Sequence, residues 1–204
     1  MSLVKICGLS RECDIDYANK YKPDYIGFVF SKSKRQVTPQ QAQLLKQRLD
    51  NTIKSVGVFV NEPVEFIEEL CSKKIIDIVQ LHGDEDNEYI NRLKELTTAV
   101  IIKAVRVQSS SQVLQSEKLN CDYLLLDAYS KSSYGGLGET FNWSLIPKLS
   151  KPFFLAGGLK AENIGKAIQT VKPYCVDLSS GAETNGYKDE EKIKIIIDRV
   201  RRTK

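Results

Sequence analysis

The chain has 204 residues, of which 42% are hydrophobic and 27% are charged, and its formal net charge is +4. This length and apolar content suffice for one full core, so we predict a single domain over residues 1–204. Basic residues alternate with Asp and Glu and lack interleaved aromatics, which argues against nucleic acid as a partner. No apolar run approaches the roughly 18 residues of a membrane span, so we expect no membrane partner either.

Cysteine and histidine content limits the possible sites to a few kinds. The five cysteines are odd in number, scattered, and form no Cys-x-x-Cys pair, which argues against a disulfide framework and a zinc site. A single histidine argues against a catalytic metal. The opening residues lack the basic and apolar regions of a signal peptide, so we expect a cytoplasmic protein.

Short runs rich in Val, Ile, Phe and Leu recur along the chain and predict β-strands. Eight such runs are found, at residues 4–7, 25–30, 55–60, 76–81, 100–105, 123–127, 153–156 and 175–178. Segments with helical periodicity separate them. Thr38 and Pro39 predict an N-cap and a first helical residue, the Asn-Glu-Pro run at 61–63 opens the next helix, and Asn163 is a candidate cap for a helix that ends at Val171.

Strands that alternate with helices, with no hairpin dipeptide between them, imply parallel pairing through right-handed crossovers. Eight such units predict an α/β fold, a single-domain (β/α)8 TIM barrel of eight parallel strands. The alternative is a doubly wound open sheet. That fold usually has fewer strands, and the first strand here is not followed by a G-x-G-x-x-G turn.

In a barrel of this kind, the catalytic groups lie at the C-terminal ends of the strands. Cys7 ends the first strand, where a free cysteine is either a small buried hydrophobe or a thiol for acid-base chemistry. If Cys7 faces inward, so does Lys5, whose buried ammonium needs a carboxylate partner. Asp127 and Asp177, near the ends of strands six and eight, are the candidates. A structural ion pair and a catalytic role are compatible for these residues.

Two neighbouring strands end in small residues. The seventh predicted strand is followed by Gly157 and Gly158, and the eighth by Ser179, Ser180 and Gly181. Small residues let backbone N–H groups converge on an anion, and the loops after strands seven and eight of this fold often bind phosphate. These five residues therefore predict a phosphate site, although a Gly-Gly pair alone is also compatible with a simple tight turn.

Six segments together resemble the phosphoribosylanthranilate isomerase family, in the right order and over nearly the whole chain. They are KICGL at 5–9, GFVF at 27–30 with SKR at 33–35, VGVFVN at 56–61, VQLHG at 79–83, LLD at 125–127 and VDLSSG at 176–181. The resemblance implies an enzyme of tryptophan biosynthesis that needs no cofactor or metal. Its reaction is the Amadori rearrangement of N-(5-phosphoribosyl)anthranilate to 1-(2-carboxyphenylamino)-1-deoxyribulose 5-phosphate.

The resemblance also implies catalytic roles. Asp127 matches the general acid, which protonates the furanose ring oxygen so that the ring opens. Cys7 matches the general base, which then removes the proton from C2. A nearby cation would favour the Cys7 thiolate, whereas burial would oppose it. To act as the acid, Asp127 must be held protonated by an apolar setting or by a neighbouring carboxylate. Asp177, which we place among the substrate-binding residues, is the candidate for that carboxylate.

Substrate contacts follow from the same resemblance. Arg35 matches the ligand of the anthranilate carboxylate, and its planar guanidinium suits bidentate contact. The alternative is that residues 31–35 form a solvated basic loop. His82 matches a histidine at the end of the fourth strand, either as a polar wall of the pocket or as a structural residue. The glycine-rich residues 134–138, with the Phe-Asn-Trp run at 141–143, match a loop expected to close over substrate.

Other enzyme classes stay open at this level. The histidine-pathway phosphoribosyl isomerase has an aspartate where this chain has Cys7, and indole-glycerol-phosphate synthase needs lysines with no clear counterpart here. Lys103, inside the fifth strand, is either a Schiff-base lysine or an interior lysine with a carboxylate partner. A non-catalytic phosphosugar-binding barrel is the last alternative. The predicted partner is a small-molecule phosphoribosyl substrate. The sequence does not indicate an oligomeric state or an association with other enzymes of the pathway.

Overall fold

The computed structural model describes residues 2–128 and 142–203, and the strands within them close into a parallel barrel. They are β1 (Leu3–Cys7), β2 (Tyr25–Val29), β3 (Lys54–Phe59), β4 (Ile78–Leu81), β5 (Val100–Val107), β6 (Tyr123–Ala128), β7 (Phe153–Leu155) and β8 (Cys175–Leu178). Each pairs with its neighbours in chain order, and β8 pairs with β1. The predicted (β/α)8 barrel is confirmed, and the open-sheet alternative is wrong.

Seven α-helices in the described residues surround the barrel. They are α1 (Glu12–Tyr21), α2 (Pro39–Arg48), α3 (Val64–Ser72), α4 (Asn87–Leu96), α5 (Ser110–Ser116), α6 (Ile164–Val171) and α7 (Glu190–Arg202). Between β6 and β7, the described residues 142–152 contain one 3₁₀ turn, Trp143–Leu145, and the rest of the predicted helical segment lies outside the described residues. Within the described ranges, no helix has the length and apolar character needed to cross a membrane.

The first residues of α2 and α6 can be compared with the predicted helix caps. Thr38 accepts a hydrogen bond from the backbone N–H of Gln41, with Pro39 at the first helical position, so the predicted start of α2 is confirmed. Asn163 does precede α6, but its side chain does not cap the helix. The side-chain oxygen of Asn163 instead accepts a hydrogen bond from the backbone N–H of Lys160, in the loop that precedes α6. The predicted capping contact is therefore wrong.

A short hairpin follows β8 and was not predicted. It consists of β9 (Glu183–Thr184) and β10 (Tyr187–Lys188), joined by an Asn-Gly turn at residues 185–186. Asn-Gly is the preferred dipeptide of two-residue hairpin turns. Strands of two residues are too short to show side-chain alternation, which explains why the pattern of apolar runs missed them. The hairpin brings Glu183 and Lys188 to the end of the barrel that carries the site.

Side-chain alternation along the strands separates the core from the barrel interior. Val4 and Ile6 on β1 pack in the layer between the strands and the helices. Lys5 instead faces the interior, where it bonds to side chains of β4 and β8, as predicted. A fully buried isoleucine such as Ile6 contributes roughly 1.5–3 kcal/mol relative to an exposed one. This apolar layer holds the strands in register, so the polar groups inside can be positioned closely.

Candidate active site

A cavity of about 620 Å³ opens at the C-terminal ends of the strands, and the predicted site residues line it. All ten are present, namely Cys7, Arg35, His82, Asp127, Gly157, Gly158, Asp177, Ser179, Ser180 and Gly181. Cavity walls of this kind carry the active sites of (β/α)8 enzymes. The glycine-rich segment at 134–138, which we expected to close over substrate, lies outside the described residues.

Cys7 ends β1 with its side chain against β2. Gly27 lies beside it, and a Cβ at Gly27 would come within 2.6 Å of the Cys7 sulfur, so the glycine leaves the space that the thiol occupies. Only 8% of Cys7 is exposed. Burial raises the pKa of the Cys7 thiol above its ordinary value, although the nearby ammonium groups of Lys5 and Lys188 favour the thiolate. Burial therefore favours the neutral thiol at Cys7.

Lys5 lies below Cys7 and pairs with Asp177. The Lys5 Nζ is 3.0 Å from Oδ2 of Asp177, and no part of Lys5 is exposed. Burial opposes the charge on Lys5, but Asp177 and Cys7 outweigh this effect and raise its pKa, so the residue is an ammonium ion. Of the two carboxylates that the sequence offered as partners, the structure selects Asp177. In the described part of the chain no hydrogen bond joins Asp177 to Asp127, whose carboxyl group contacts Ala128 and His82. That Asp177 holds Asp127 protonated stays a prediction.

Asp127 ends β6 and is held from two sides. Its Oδ1 accepts a hydrogen bond of 2.8 Å from the backbone N–H of Ala128. Its Oδ2 is 3.3 Å from Nε2 of His82, and both side chains are about nine-tenths buried. This contact is not a hydrogen bond, and Nε2 has no hydrogen-bond partner among the described residues. His82 is thus part of the pocket wall beside the predicted acid.

Arg35 is fixed by an ion pair that the sequence did not predict. Its Nε and Nη2 donate to the two carboxylate oxygens of Glu183, at 2.7 and 2.8 Å. Gly8 has a positive φ of 84°, and a Cβ there would come within 2.5 Å of the Arg35 side chain, so Arg35 lies directly across this glycine. Glu183 thus occupies the Nε edge of the guanidinium, and Arg35 is part of the cavity wall. The predicted bidentate contact with substrate therefore cannot use the Nε edge.

Glu183 also contacts a second cation, Lys188, on the partner strand of the hairpin. Burial opposes the charge on Glu183, but the hydrogen bond from Arg35 and the charge of Lys188 outweigh it and lower its pKa. Glu183 is therefore an anion that links Arg35 to the buried ammonium of Lys188. Lys188 in turn donates to the backbone oxygen of Ser179. Through Glu183 and Lys188, the hairpin contacts both Arg35 and the loop after β8, and it fixes their relative positions.

The two small-residue loops lie side by side above the ends of β7 and β8. Both contribute to the cavity wall through Gly157, Gly158 and residues 179–181. The Ser179 hydroxyl donates to the backbone oxygen of Cys7 at 3.1 Å, which connects the second loop to the end of β1. The loops therefore offer backbone N–H groups and hydroxyls on the side of the cavity next to Cys7.

Comparison with known proteins identifies the chain's relatives. A sequence model of the family described as N-(5'phosphoribosyl)anthranilate (PRA) isomerase matches residues 4–199. The chain belongs to the PRA isomerase family. It is 50% identical over 193 residues to the N-(5'-phosphoribosyl)anthranilate isomerase of Endomicrobium trichonymphae, with 95% of each chain covered.

Solved structures of the PRA isomerase family agree with this assignment. The Thermotoga maritima phosphoribosyl anthranilate isomerase superposes with a TM-score of 0.87 at 35% identity, covering 98% of this chain and 99% of that one. A further phosphoribosyl anthranilate isomerase structure, at TM-score 0.84 and 34% identity over 98% of this chain and 99% of that one, is in complex with reduced 1-(o-carboxyphenylamino)-1-deoxyribulose 5-phosphate. The family resemblance drawn from the six sequence segments is confirmed.

Lys103 lies near the site of this family member without entering the cavity wall. Its Nζ donates to Glu85 at 2.8 Å and to the backbone oxygen of Gly83 at 2.7 Å. These contacts confirm the interior lysine with a carboxylate partner, and the Schiff-base alternative is wrong. In the described ranges, no group of three or more His, Cys, Asp or Glu side chains is arranged to hold a metal ion.

Three residues of this PRA isomerase site were missed by the sequence analysis: Gln80, Glu183 and Lys188. Gln80 is 1% exposed, and Glu183 and Lys188 are nearly as buried. A glutamine inside an apolar strand, two residues before the single histidine, was the available signal for Gln80. Buried polar side chains require partners, and a search for such residues would have found it. Glu183 and Lys188 carried no comparable pattern.

Proposed function

We propose that Cys7 is the general base and Asp127 the general acid of an Amadori rearrangement of N-(5'-phosphoribosyl)anthranilate in tryptophan biosynthesis. The family assignment supports the reaction and the substrate. The observation that carries the roles is that both side chains line one cavity, from β1 and β6. The cavity opens at one end of a single closed barrel of eight strands, so we assign the activity to a single domain over residues 1–204.

Substrate orientation follows from the charges around the cavity. The phosphate occupies the loops at Gly157, Gly158 and residues 179–181, where backbone N–H groups and hydroxyls suit an anion. The anthranilate carboxylate meets the free tip of Arg35, which Glu183 holds in place. The phosphate and the anthranilate carboxylate hold the two ends of the substrate. The ribose between them then lies across the mouth of the barrel, between Cys7 and Asp127.

Ring opening is the first chemical step. Asp127 gives its proton to the furanose ring oxygen while the nitrogen lone pair of the substrate forms a double bond to C1 and the C1–O bond breaks. The products are an open-chain hydroxyl and a protonated imine, with Asp127 left as a carboxylate. The N–H of Ala128, at 2.8 Å from Oδ1, stabilises that carboxylate as it forms.

Proton removal from C2 is the second step. The Cys7 thiolate takes the proton, and the electron pair of the C2–H bond forms a C1–C2 double bond while the imine nitrogen becomes neutral. The enolamine that results tautomerises to the ketone. Burial disfavours the thiolate, but the protonated imine formed in the first step adds a positive charge at the cavity and favours it when it is needed.

The raised pKa of Cys7 predicts the pH dependence of its reactivity. Only the thiolate is nucleophilic, so the rate at which iodoacetamide alkylates Cys7 rises with pH. Because burial raises this pKa, the rise continues above about pH 8.5, where an ordinary cysteine is half ionised. The measurement is the pH profile of alkylation in the purified protein, followed by mass spectrometry of the peptide that contains Cys7. A plateau that is complete below roughly pH 8 would contradict the effect of burial on this thiol.

Arg35→Ala tests the carboxylate contact. We expect KM to rise by about 10- to 100-fold, because the substrate loses a charge-assisted hydrogen bond worth roughly 1.5–3 kcal/mol. We expect kcat to change much less, since Arg35 does not touch the reacting atoms. Steady-state kinetics provide both constants. Lys34→Ala, in the same basic loop but exposed and not part of the cavity wall, is the control and should keep the original KM.

A direct assay tests the function as a whole. Purified protein is mixed with N-(5'-phosphoribosyl)anthranilate, and the loss of anthranilate-type fluorescence is followed. We expect saturable turnover. Folded protein that leaves this substrate unchanged would refute the proposal, and turnover of the histidine-pathway phosphoribosyl substrate alone would favour the alternative isomerase.

We place this activity in the cytoplasm. All five cysteines are free thiols, and free thiols persist in reducing compartments. The Cys7 thiol, as the proposed base, must stay reduced for turnover. Fractionation of the source cells followed by the same fluorescence assay tests the location, with activity expected in the cytoplasmic fraction.

A further inference from the structure

A line of polar side chains crosses the barrel interior from β1 to β6. The Nζ of Lys5 donates to Oε1 of Gln80 at 2.9 Å, and Nε2 of Gln80 is 2.9 Å from Nδ1 of His82. The opposite nitrogen of His82, Nε2, is 3.3 Å from Oδ2 of Asp127. Lys5 and Gln80 are almost completely buried. The proposed acid is thus connected to a buried cation through the side chains of His82 and Gln80.

Lys5 determines the orientation of the Gln80 amide. An ammonium group has donors and no acceptor, so the amide atom that it contacts must be the oxygen. Lys5 is charged because Asp177 lies 3.0 Å away. The amide nitrogen of Gln80 must then face His82, and its N–H requires an acceptor there. Nδ1 of His82 is therefore the ring nitrogen without a hydrogen.

We propose that Gln80 is a positioning residue that holds His82 in the tautomer with its hydrogen on Nε2, next to Asp127. The proposal rests on the proposed role of Asp127 as the acid. In the opposite tautomer, an unprotonated Nε2 would lie 3.3 Å from the carboxyl oxygen and would take the proton that Asp127 must give to the ring oxygen. Holding the hydrogen on Nε2 removes this competition.

The same tautomer assists after proton transfer. Once Asp127 is a carboxylate, the N–H of Ala128 donates to its Oδ1, and a hydrogen on Nε2 of His82 places partial positive charge near Oδ2, which is 3.3 Å from that nitrogen. Both N–H groups act on charge that develops during ring opening, so they stabilise the transition state more than the bound substrate. Loss of the correct tautomer should therefore lower kcat and leave KM nearly unchanged.

The single histidine makes the tautomer directly measurable. In protein labelled with ¹⁵N at histidine, a long-range ¹H–¹⁵N correlation spectrum contains one imidazole pattern, which assigns the hydrogen to Nε2 or Nδ1. We expect Nε2 to be the protonated nitrogen and Nδ1 the unprotonated one. A hydrogen on Nδ1 in the wild-type protein would overturn the proposal without any variant being made.

Gln80→Glu reverses the polarity of the contact. A carboxylate accepts from His82 instead of donating to it, so we expect the hydrogen to appear on Nδ1 and kcat to fall roughly 10- to 100-fold, with KM within about twofold. An unchanged imidazole pattern, or a changed pattern with unchanged kcat, would overturn the proposal. Gln40→Glu, an exposed change of the same charge on α2, should leave both unchanged.

A second variant, Gln80→Met, tests the proposal if Gln80→Glu does not fold. Gln80→Met has a similar shape and lacks the N–H donor, so we expect signals from both tautomers and a smaller loss of kcat. Retention of a pure Nε2–H pattern in this variant would overturn the proposal. The proposed function can fail independently of the proposed Gln80–His82 contact. A wild-type protein that shows the expected tautomer but does not turn over the substrate would refute the reaction and leave that contact intact.

Discussion

Cys7→Ser is expected to lower kcat by roughly 100- to 10,000-fold, the usual contribution of a general base. A serine hydroxyl ionises far less readily than a thiol, so it cannot take the C2 proton at neutral pH. The side chains have nearly the same shape, and the space beside Gly27 accepts either. Steady-state turnover of N-(5'-phosphoribosyl)anthranilate gives kcat, and thermal unfolding shows that the variant is folded.

Cys71→Ser is the matched control for this substitution. Cys71 lies on α3, is partly exposed, and is not part of the cavity wall. It should retain the wild-type kcat and KM. A Cys7→Ser enzyme with near-normal turnover would exclude the thiol as the base, and an equal loss in both cysteine variants would point to a general effect on the fold.

Asp127→Asn is expected to have an effect of similar size on kcat, about 100- to 10,000-fold. The amide has the shape of the carboxyl group and its oxygen still accepts from the N–H of Ala128, so the β6 end keeps its geometry. It has no acidic proton for the ring oxygen. Ring opening should therefore fail while substrate binding persists, which the kcat and KM values separate.

Asp198→Asn provides the corresponding control, because Asp198 is exposed on α7, away from the cavity. Its kinetic constants should match those of the wild-type enzyme. If Asp127→Asn also kept its kcat, another group would have to protonate the ring oxygen. His82, at 3.3 Å from Asp127, is the group that a second substitution would then test.

The fold was predictable because apolar runs and helical periodicity report local structure. Eight strands separated by helical segments leave few parallel arrangements, and the strand limits were correct to within about two residues at most ends. Positions at strand ends were predictable for the same reason. Once the barrel is accepted, Cys7, Asp127 and the loops after β7 and β8 must share one rim.

The contacts that organise the site were not predictable from local patterns. Arg35 and Glu183 are separated by 148 positions, and Lys5 and Gln80 by 75. No periodicity links residues so far apart, and several acidic residues were equally plausible partners. The choice of Asp177 over Asp127 as the partner of Lys5 likewise depends on how β1 and β8 pair, with Lys5 directly beside Asp177. Pairings of this kind need the three-dimensional register.

Release of the C2 hydrogen tests the central claim most directly. N-(5'-phosphoribosyl)anthranilate labelled with deuterium at C2 is converted in a single turnover by the wild-type enzyme and by Cys7→Ser, and the transfer of label to solvent is measured. We expect rapid release with the wild-type enzyme and release at least about 100-fold slower with Cys7→Ser. Release by Cys7→Ser at the wild-type rate would show that another group removes the proton.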